Sequence, residues 1–103
     1  MKVLTFIFRD QFIMKSYNLH MYYVYVLENQ DKSLYIGYTE NLKQRISDHQ
    51  HGKGGKTTKS KSNWKLIYFE CYIHKMDAIG REKFLKGGSG RKYLKKQLKH
   101  YWQ

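Results

Sequence analysis

The hydrophobic and polar positions of the chain fall into short runs that alternate in character. Tyr22-Tyr23-Val24-Tyr25-Val26-Leu27 is an unbroken β-branched and aromatic run. It predicts a strand covered on both faces. The polar stretch Glu28 to Lys32 predicts a turn, and Leu34 to Tyr38 the second strand of a hairpin. Thr39 or Asn41 can cap the helix that follows, where Leu42, Ile46 and His49 recur at helical spacing until Gly52. The segment from His51 to Asn63 mixes lysines, glycines and hydroxyls and predicts a basic loop. Residues 64–73 predict a third strand centred on Leu66 to Phe69, and residues 75–86 a helix. Gly87-Gly88-Ser89-Gly90 interrupts that helix, with Ser89 available to cap the next. The last helix sets Leu94, Leu98 and Tyr101 on one face and a basic row on the other. The expected fold is therefore α+β, with element order β-β-α-β-α-α and a small three-stranded antiparallel or mixed sheet flanked by helices.

With 103 residues the chain suits one compact domain. The patterned part opens at Met21, so the domain is expected over residues 21–103. Residues 1–20 are expected to be an upstream extension of doubtful origin or a loosely attached arm, and carry no assigned chemistry. Their apolar stretch, Val3 to Phe8, stops at Arg9 and Asp10, too soon to span a membrane, and no convincing cleavage site follows. The single cysteine, Cys71, rules out a disulfide or a cysteine-based zinc site within one chain and points to a reducing cytoplasm. It lies in an apolar run and is expected in the core.

Charge changes this picture most. Lys+Arg total 20 against 8 Asp+Glu, a formal net charge of +12 and a pI near 9.8. Such an excess repels itself and favours a polyanionic partner. A membrane surface fits poorly. Once Leu94, Leu98 and Tyr101 pack inward, the last helix has no apolar face left for lipid. Nucleic acid is the expected partner.

Three polar residues sit where a plain amphipathic helix would not place them. Arg45 and His49 flank the Leu42/Ile46 stripe and are neighbours at i, i+4. Glu82 falls between Ala78, Ile79 and Leu85 on an apolar side, where a carboxylate is costly without a cation or metal. Taken singly, each has a structural reading: a rim arginine, a satisfied core histidine, an ion pair. Together, in so basic a chain, they resemble a phosphate site. Phosphodiester cleavage needs an activated water, a cation on the transition-state oxygens and help for the leaving group. The chain holds 10 tyrosines, most of them sheet-filling aromatics. Tyr25 and Tyr35 stand apart only because they occupy adjacent strands of one hairpin, where cross-strand pairing could bring their hydroxyls to one pocket.

These residues form a pattern. Tyr23-Val24-Tyr25, Tyr35-Ile36-Gly37, Arg45 eight residues later, then His49 and Glu82 resemble the GIY-YIG nuclease superfamily. The resemblance runs from Met21 to the end and is closest to the small stand-alone bacterial members. These are similar to the catalytic domain of the excision-repair nuclease subunit. It implies a metal-dependent endonuclease acting on nucleic acid, DNA rather than RNA, without sequence specificity or directed by substrate structure. It implies that Tyr25 or Tyr35 orients or deprotonates the attacking water. Gly37 lets the backbone pass close to the site, Arg45 holds the scissile phosphate, and His49 assists proton transfer. Glu82 binds a single divalent metal, Mg²⁺ or Mn²⁺, which a lone carboxylate can hold with most of its waters retained. The chain departs from the family in three places. The first motif reads Tyr-Val-Tyr, Tyr38 stands where excision-repair relatives often carry lysine, and residues 87–94 lack the asparagine of many active relatives.

Lys43, Lys53, Lys56, Lys86, Arg91 and Lys92 are expected phosphate contacts, which give affinity without reading sequence. Two rival readings remain: a catalytically weak DNA- or RNA-binding module on the same scaffold, and a structural RNA-binding protein supported only by size and charge.

Overall fold

The computed structural model describes residues 19–52, 54 and 63–103. Its elements are β1 (Tyr22–Glu28), β2 (Leu34–Thr39), α1 (Leu42–Gln50), β3 (Lys65–Tyr72), α2 (Lys75–Lys86) and α3 (Gly88–Gln97). The expected α+β order is observed. The sheet is ordered β2-β1-β3 and is antiparallel throughout. The central strand β1 is therefore paired on both edges, and its side chains from Tyr23 to Glu28 are all buried.

Period-two alternation splits β1 between two cores. Tyr23, Tyr25 and Leu27 pack with Leu42, Ile46, Trp64 and Leu66 under α1. Val24 and Val26 pack with Ile36, Ala78, Leu85 and Leu94 under α2 and α3. Each fully buried aliphatic side chain contributes roughly 1.5–3 kcal/mol by leaving water.

The β1–β2 turn closes with Asn29 N–H donating to the Ser33 carbonyl at 2.9 Å and Lys32 N–H to the Asn29 carbonyl at 2.9 Å. Lys32 takes a left-handed conformation, φ 71°, that glycine usually fills in such three-residue hairpin loops. Asn41 rather than Thr39 caps α1, its side chain accepting from Gln44 N–H at 3.2 Å. Thr39 Oγ1 instead accepts from Asn41 N–H.

Four expectations are corrected. Cys71 is exposed, not buried. It lies near the end of β3, opposite Tyr23, and an edge strand has one open flank. Ser89 caps nothing. The N-cap of α3 is Gly87, without a side-chain bond, and the helix begins at Gly88. The third strand starts at Lys65 and stops at Tyr72. The last helix stops at Gln97, so Tyr101 leaves the stripe of Leu94 and stays 42% exposed.

The α2–α3 corner depends on Gly90. A Cβ there would meet the backbone of the preceding helix, colliding with the Phe84 carbonyl oxygen and lying 2.6 Å from the Leu85 carbonyl carbon. Backbone cannot swing aside as a side chain can. Gly90→Ala is expected to cost at least about 2 kcal/mol in denaturant unfolding. Gly88→Ala, with nothing within 4 Å of the new methyl, is expected to be neutral or stabilising by up to about 1 kcal/mol.

Candidate active site

The site grows from the middle of β1. Tyr25 pairs with Gly37 across the β1–β2 ladder. The Tyr25 ring lies on that glycine so closely that a Cβ at position 37 would collide with Cζ and Oη and lie 2.9 Å from Cε1. Glycine at 37 is thus required by the tyrosine opposite it. Tyr35 is not the direct partner of Tyr25. It faces Leu27, and the two tyrosines meet diagonally, ring centroids 6.2 Å apart. Both belong to the face that packs under α1.

Helix α1 buries Leu42, Ile46 and His49. This brings the His49 ring, 1% exposed, to 5.7 Å from the Tyr25 ring and 5.0 Å from that of Tyr35. The Tyr25 hydroxyl and His49 Nε2 are 2.8 Å apart in a buried hydrogen bond. Arg45, one turn earlier, couples electrostatically to both Tyr25 and Tyr35. Tyr35 is half-buried and leans edge-on against Trp64 at 6.3 Å. The structure therefore brings four of the expected residues, Tyr25, Tyr35, Arg45 and His49, into one cluster over Gly37.

Electrostatics fix the protonation states. Burial, then the Arg45 charge, pushes the His49 imidazole down to about 4, so it is neutral near pH 7 and can accept a proton. Burial and the neighbouring Tyr35 push the Tyr25 hydroxyl far up, against the opposing pull of Arg45. Tyr25 holds its proton firmly. Burial works against the Arg45 charge, but its interaction with the two tyrosines outweighs that, and the guanidinium stays charged.

Glu82 stands on α2, a different element. It shares a helical stripe with the buried Ala78 and Leu85, and its side chain is only 20% exposed. Helix α2 packs against β1 and β2. The expected inward carboxylate is thus observed, in an ion pair with Lys86 at 3.3 Å. No cluster of three or more His, Cys, Asp or Glu able to hold a metal occurs among the described residues. A lone carboxylate still fits Mg²⁺, which keeps several waters and is often held by one carboxylate together with substrate phosphates.

The expected phosphate contacts that are described lie on the surface. Lys43, Lys86, Arg91 and Lys92 are exposed on α1, α2 and α3. Lys53 and Lys56 lie outside the described residues.

Two carboxylates escaped the sequence reading. Glu70 accepts both Arg81 Nε, at 2.9 Å, and Arg81 Nη2, at 3.0 Å, and receives the hydroxyls of Tyr68 and Tyr72. Burial would raise its pKa, yet these donors outweigh it and hold the carboxyl below the usual range. The alternation Tyr68, Glu70, Tyr72 was the available signal, since it puts a carboxylate on a face lined by tyrosines. Glu28 accepts the Tyr101 hydroxyl at 2.6 Å and Trp102 Nε1 at 2.5 Å, a pairing more than 70 residues long that no local pattern announces.

The profile of the GIY-YIG catalytic domain matches residues 21–97. The chain belongs to the GIY-YIG family. Its similarity to a UPF0213 protein of Clostridium perfringens is 46% identity over 66 residues, covering 64% of this chain and 71% of the other. A UPF0213 protein of Haloquadratum walsbyi is 38% identical over 77 residues, 75% of this chain and 84% of that one. The solution NMR structure of a UPF0213 protein of Bacillus halodurans aligns at 37% identity with a TM-score of 0.48, covering 79% of this chain and 84% of that chain. The GIY-YIG domain is a nuclease-type fold, which implies a nucleic-acid substrate, and GIY-YIG nucleases generally use a divalent metal. No helix among the described residues is long and apolar enough to cross a membrane.

The buried histidine of this GIY-YIG domain has a thermodynamic signature. Its pKa is 6.5 when unfolded and about 4 when folded. Below 6.5 the unfolded chain gains a proton that the folded chain refuses, so stability falls with falling pH and levels off below about 4. Glu28 and Glu70 lose their stabilisation only below their ordinary 4.5, which leaves the interval from 6.5 to 4.5 to His49. Denaturant unfolding is expected to show a decline on the order of 1 kcal/mol per pH unit there. His49→Gln is expected to flatten it, and an unchanged decline in the variant would contradict a buried neutral imidazole.

Proposed function

We propose that this GIY-YIG domain is a metal-dependent endonuclease that hydrolyses phosphodiester bonds in DNA, without sequence specificity or directed by substrate structure. The observation that carries the reading is the Tyr25–His49–Arg45 cluster: a proton donor, a neutral proton acceptor and a fixed cation joined on one face.

In the free protein the Arg45 charge lies beside both tyrosines. A phosphodiester draws the guanidinium onto its nonbridging oxygens, which suits a planar fork of donors. Tyr25 binds its proton too firmly to be a tyrosinate near neutral pH, so it acts through a relay. The attacking water passes a proton to the Tyr25 oxygen as Tyr25 passes its own to His49 Nε2, 2.8 Å away. The water oxygen forms its bond to phosphorus, the opposite P–O bond breaks, and the leaving oxygen takes a proton from solvent. Tyr35, half-buried beside Arg45, orients the water. Glu82 would hold Mg²⁺ or Mn²⁺, whose Lewis acidity neutralises charge developing on the phosphate oxygens.

The test is cleavage of labelled single-stranded, duplex, flap and branched DNA and of RNA, with Mg²⁺, Mn²⁺ or EDTA. Wild type is expected to cut DNA only with metal. Arg45→Ala and Glu82→Ala are expected to lose about 100-fold or more while circular dichroism stays native. Tight binding by wild type without cutting on any substrate would instead establish a binding module on a nuclease scaffold.

A further inference from the structure

A second basic surface lies away from the Tyr25 cluster. A cleft of about 1180 Å³ opens between the β1–β2 turn and the last helix. Lys32, Arg91, Lys95 and Lys99 line it, with Trp102 and Glu28 among the remaining walls. Arg91, Lys95 and Lys99 recur every four residues, so α3 and the turn after it aim them along one side. Like charges at this spacing destabilise a helix, and these three form no ion pair among the described residues. The lining glutamate, Glu28, is already engaged by Tyr101 and Trp102. Four cationic side chains therefore line the cleft against one engaged glutamate.

Lys32 supplies an independent observation. Its φ of 71° is costly for a side-chain-bearing residue, and glycine is the favoured occupant. Lysine there sets a cation at the edge of the cleft against the preference of the backbone.

The cleft lies on the other side of the sheet from the Tyr25 cluster. Glu28 alternates with Val24 and Val26 on the face that packs under α2 and α3, whereas Tyr25 and Tyr35 lie under α1. A segment of substrate held by Arg45 does not occupy this cleft at the same point.

We infer that the cleft between Lys32 and the Arg91–Lys95–Lys99 row is a second phosphate-backbone site, which grips a nucleic-acid segment distinct from the one being cut. The inference rests on the nuclease reading for the identity of its ligand. It gives that reading a physical basis for preferring bent or branched substrates, because two contacts on opposite faces of a thin sheet reward a strand that turns around its edge.

The test is fluorescence anisotropy of a labelled branched DNA and of a duplex of equal length, across a salt series. The proteins are wild type, Lys95→Ala/Lys99→Ala, Lys32→Gly, and the exposed control Lys75→Ala/Lys83→Ala, which removes equal charge elsewhere. The cleft variant is expected to flatten the log–log salt slope by about two and to weaken the branched DNA more than the duplex. The control is expected to leave the slope near that of wild type. Lys32→Gly is expected to raise the melting temperature while weakening binding, a combination that a purely structural role cannot give. Equal losses in cleft and control variants, or Lys32→Gly binding as wild type does, would overturn the cleft while leaving the nuclease reading intact. Failure of wild type to bind any of the DNA would overturn the nuclease reading, and the cleft with it.

Discussion

The molecule is organised around one buried hydroxyl. Tyr25 stands in the middle of the central strand, its ring pressed on the backbone of Gly37 and its oxygen bonded to His49. A polar atom in a core must be hydrogen-bonded, and here its partner, His49, comes from the helix that covers that face. The same bond therefore fixes how α1 sits on the sheet and which groups gather at its surface. Gly37 is required for the same reason, since any side chain there would displace the ring. Burial then does chemical work as well, keeping the histidine neutral and the tyrosine protonated.

The two faces of the sheet have separate tasks. Under α1, aromatic rings and a cation without an ion pair among the described residues surround the Tyr25–His49 hydrogen bond. Under α2 and α3, polar groups are tied off. Arg81 lies over the rings of Phe84 and Tyr93 at 5.3 and 4.4 Å and closes a fork on Glu70. Tyr101 and Trp102 fasten the last turn to Glu28. Glu82 differs from both of these carboxylates. It is nearly as buried as Glu70, but its ion pair among the described residues is with a half-exposed lysine of its own helix, an exchangeable partner.

Periodicity made much of this legible. The strands follow from unbroken β-branched and aromatic runs, and α2 occupies residues 75–86 as its pattern predicts. Arg45, His49 and Glu82 could be singled out because each breaks the polarity of an otherwise amphipathic face. What stayed hidden depends on contacts between distant segments. The need for glycine at 90 arises only once α3 crosses the backbone of α2. Glu28 looks like a turn residue until the far end of the chain reaches it. Cys71 reads as core because its neighbours are apolar, yet it sits on an edge strand. The diagonal placing of Tyr25 and Tyr35 required the register, which fixes Gly37 and not Tyr35 opposite Tyr25.

The central claim is that the Tyr25 hydroxyl carries a proton between the attacking water and His49. Removing that one oxygen isolates the claim. The decisive measurement is the single-turnover cleavage rate of Tyr25→Phe at saturating protein, beside its binding affinity for the same DNA. The account predicts a loss of about 100-fold or more in rate with affinity within a few-fold of wild type. A variant that binds and still cuts at the wild-type rate would contradict it.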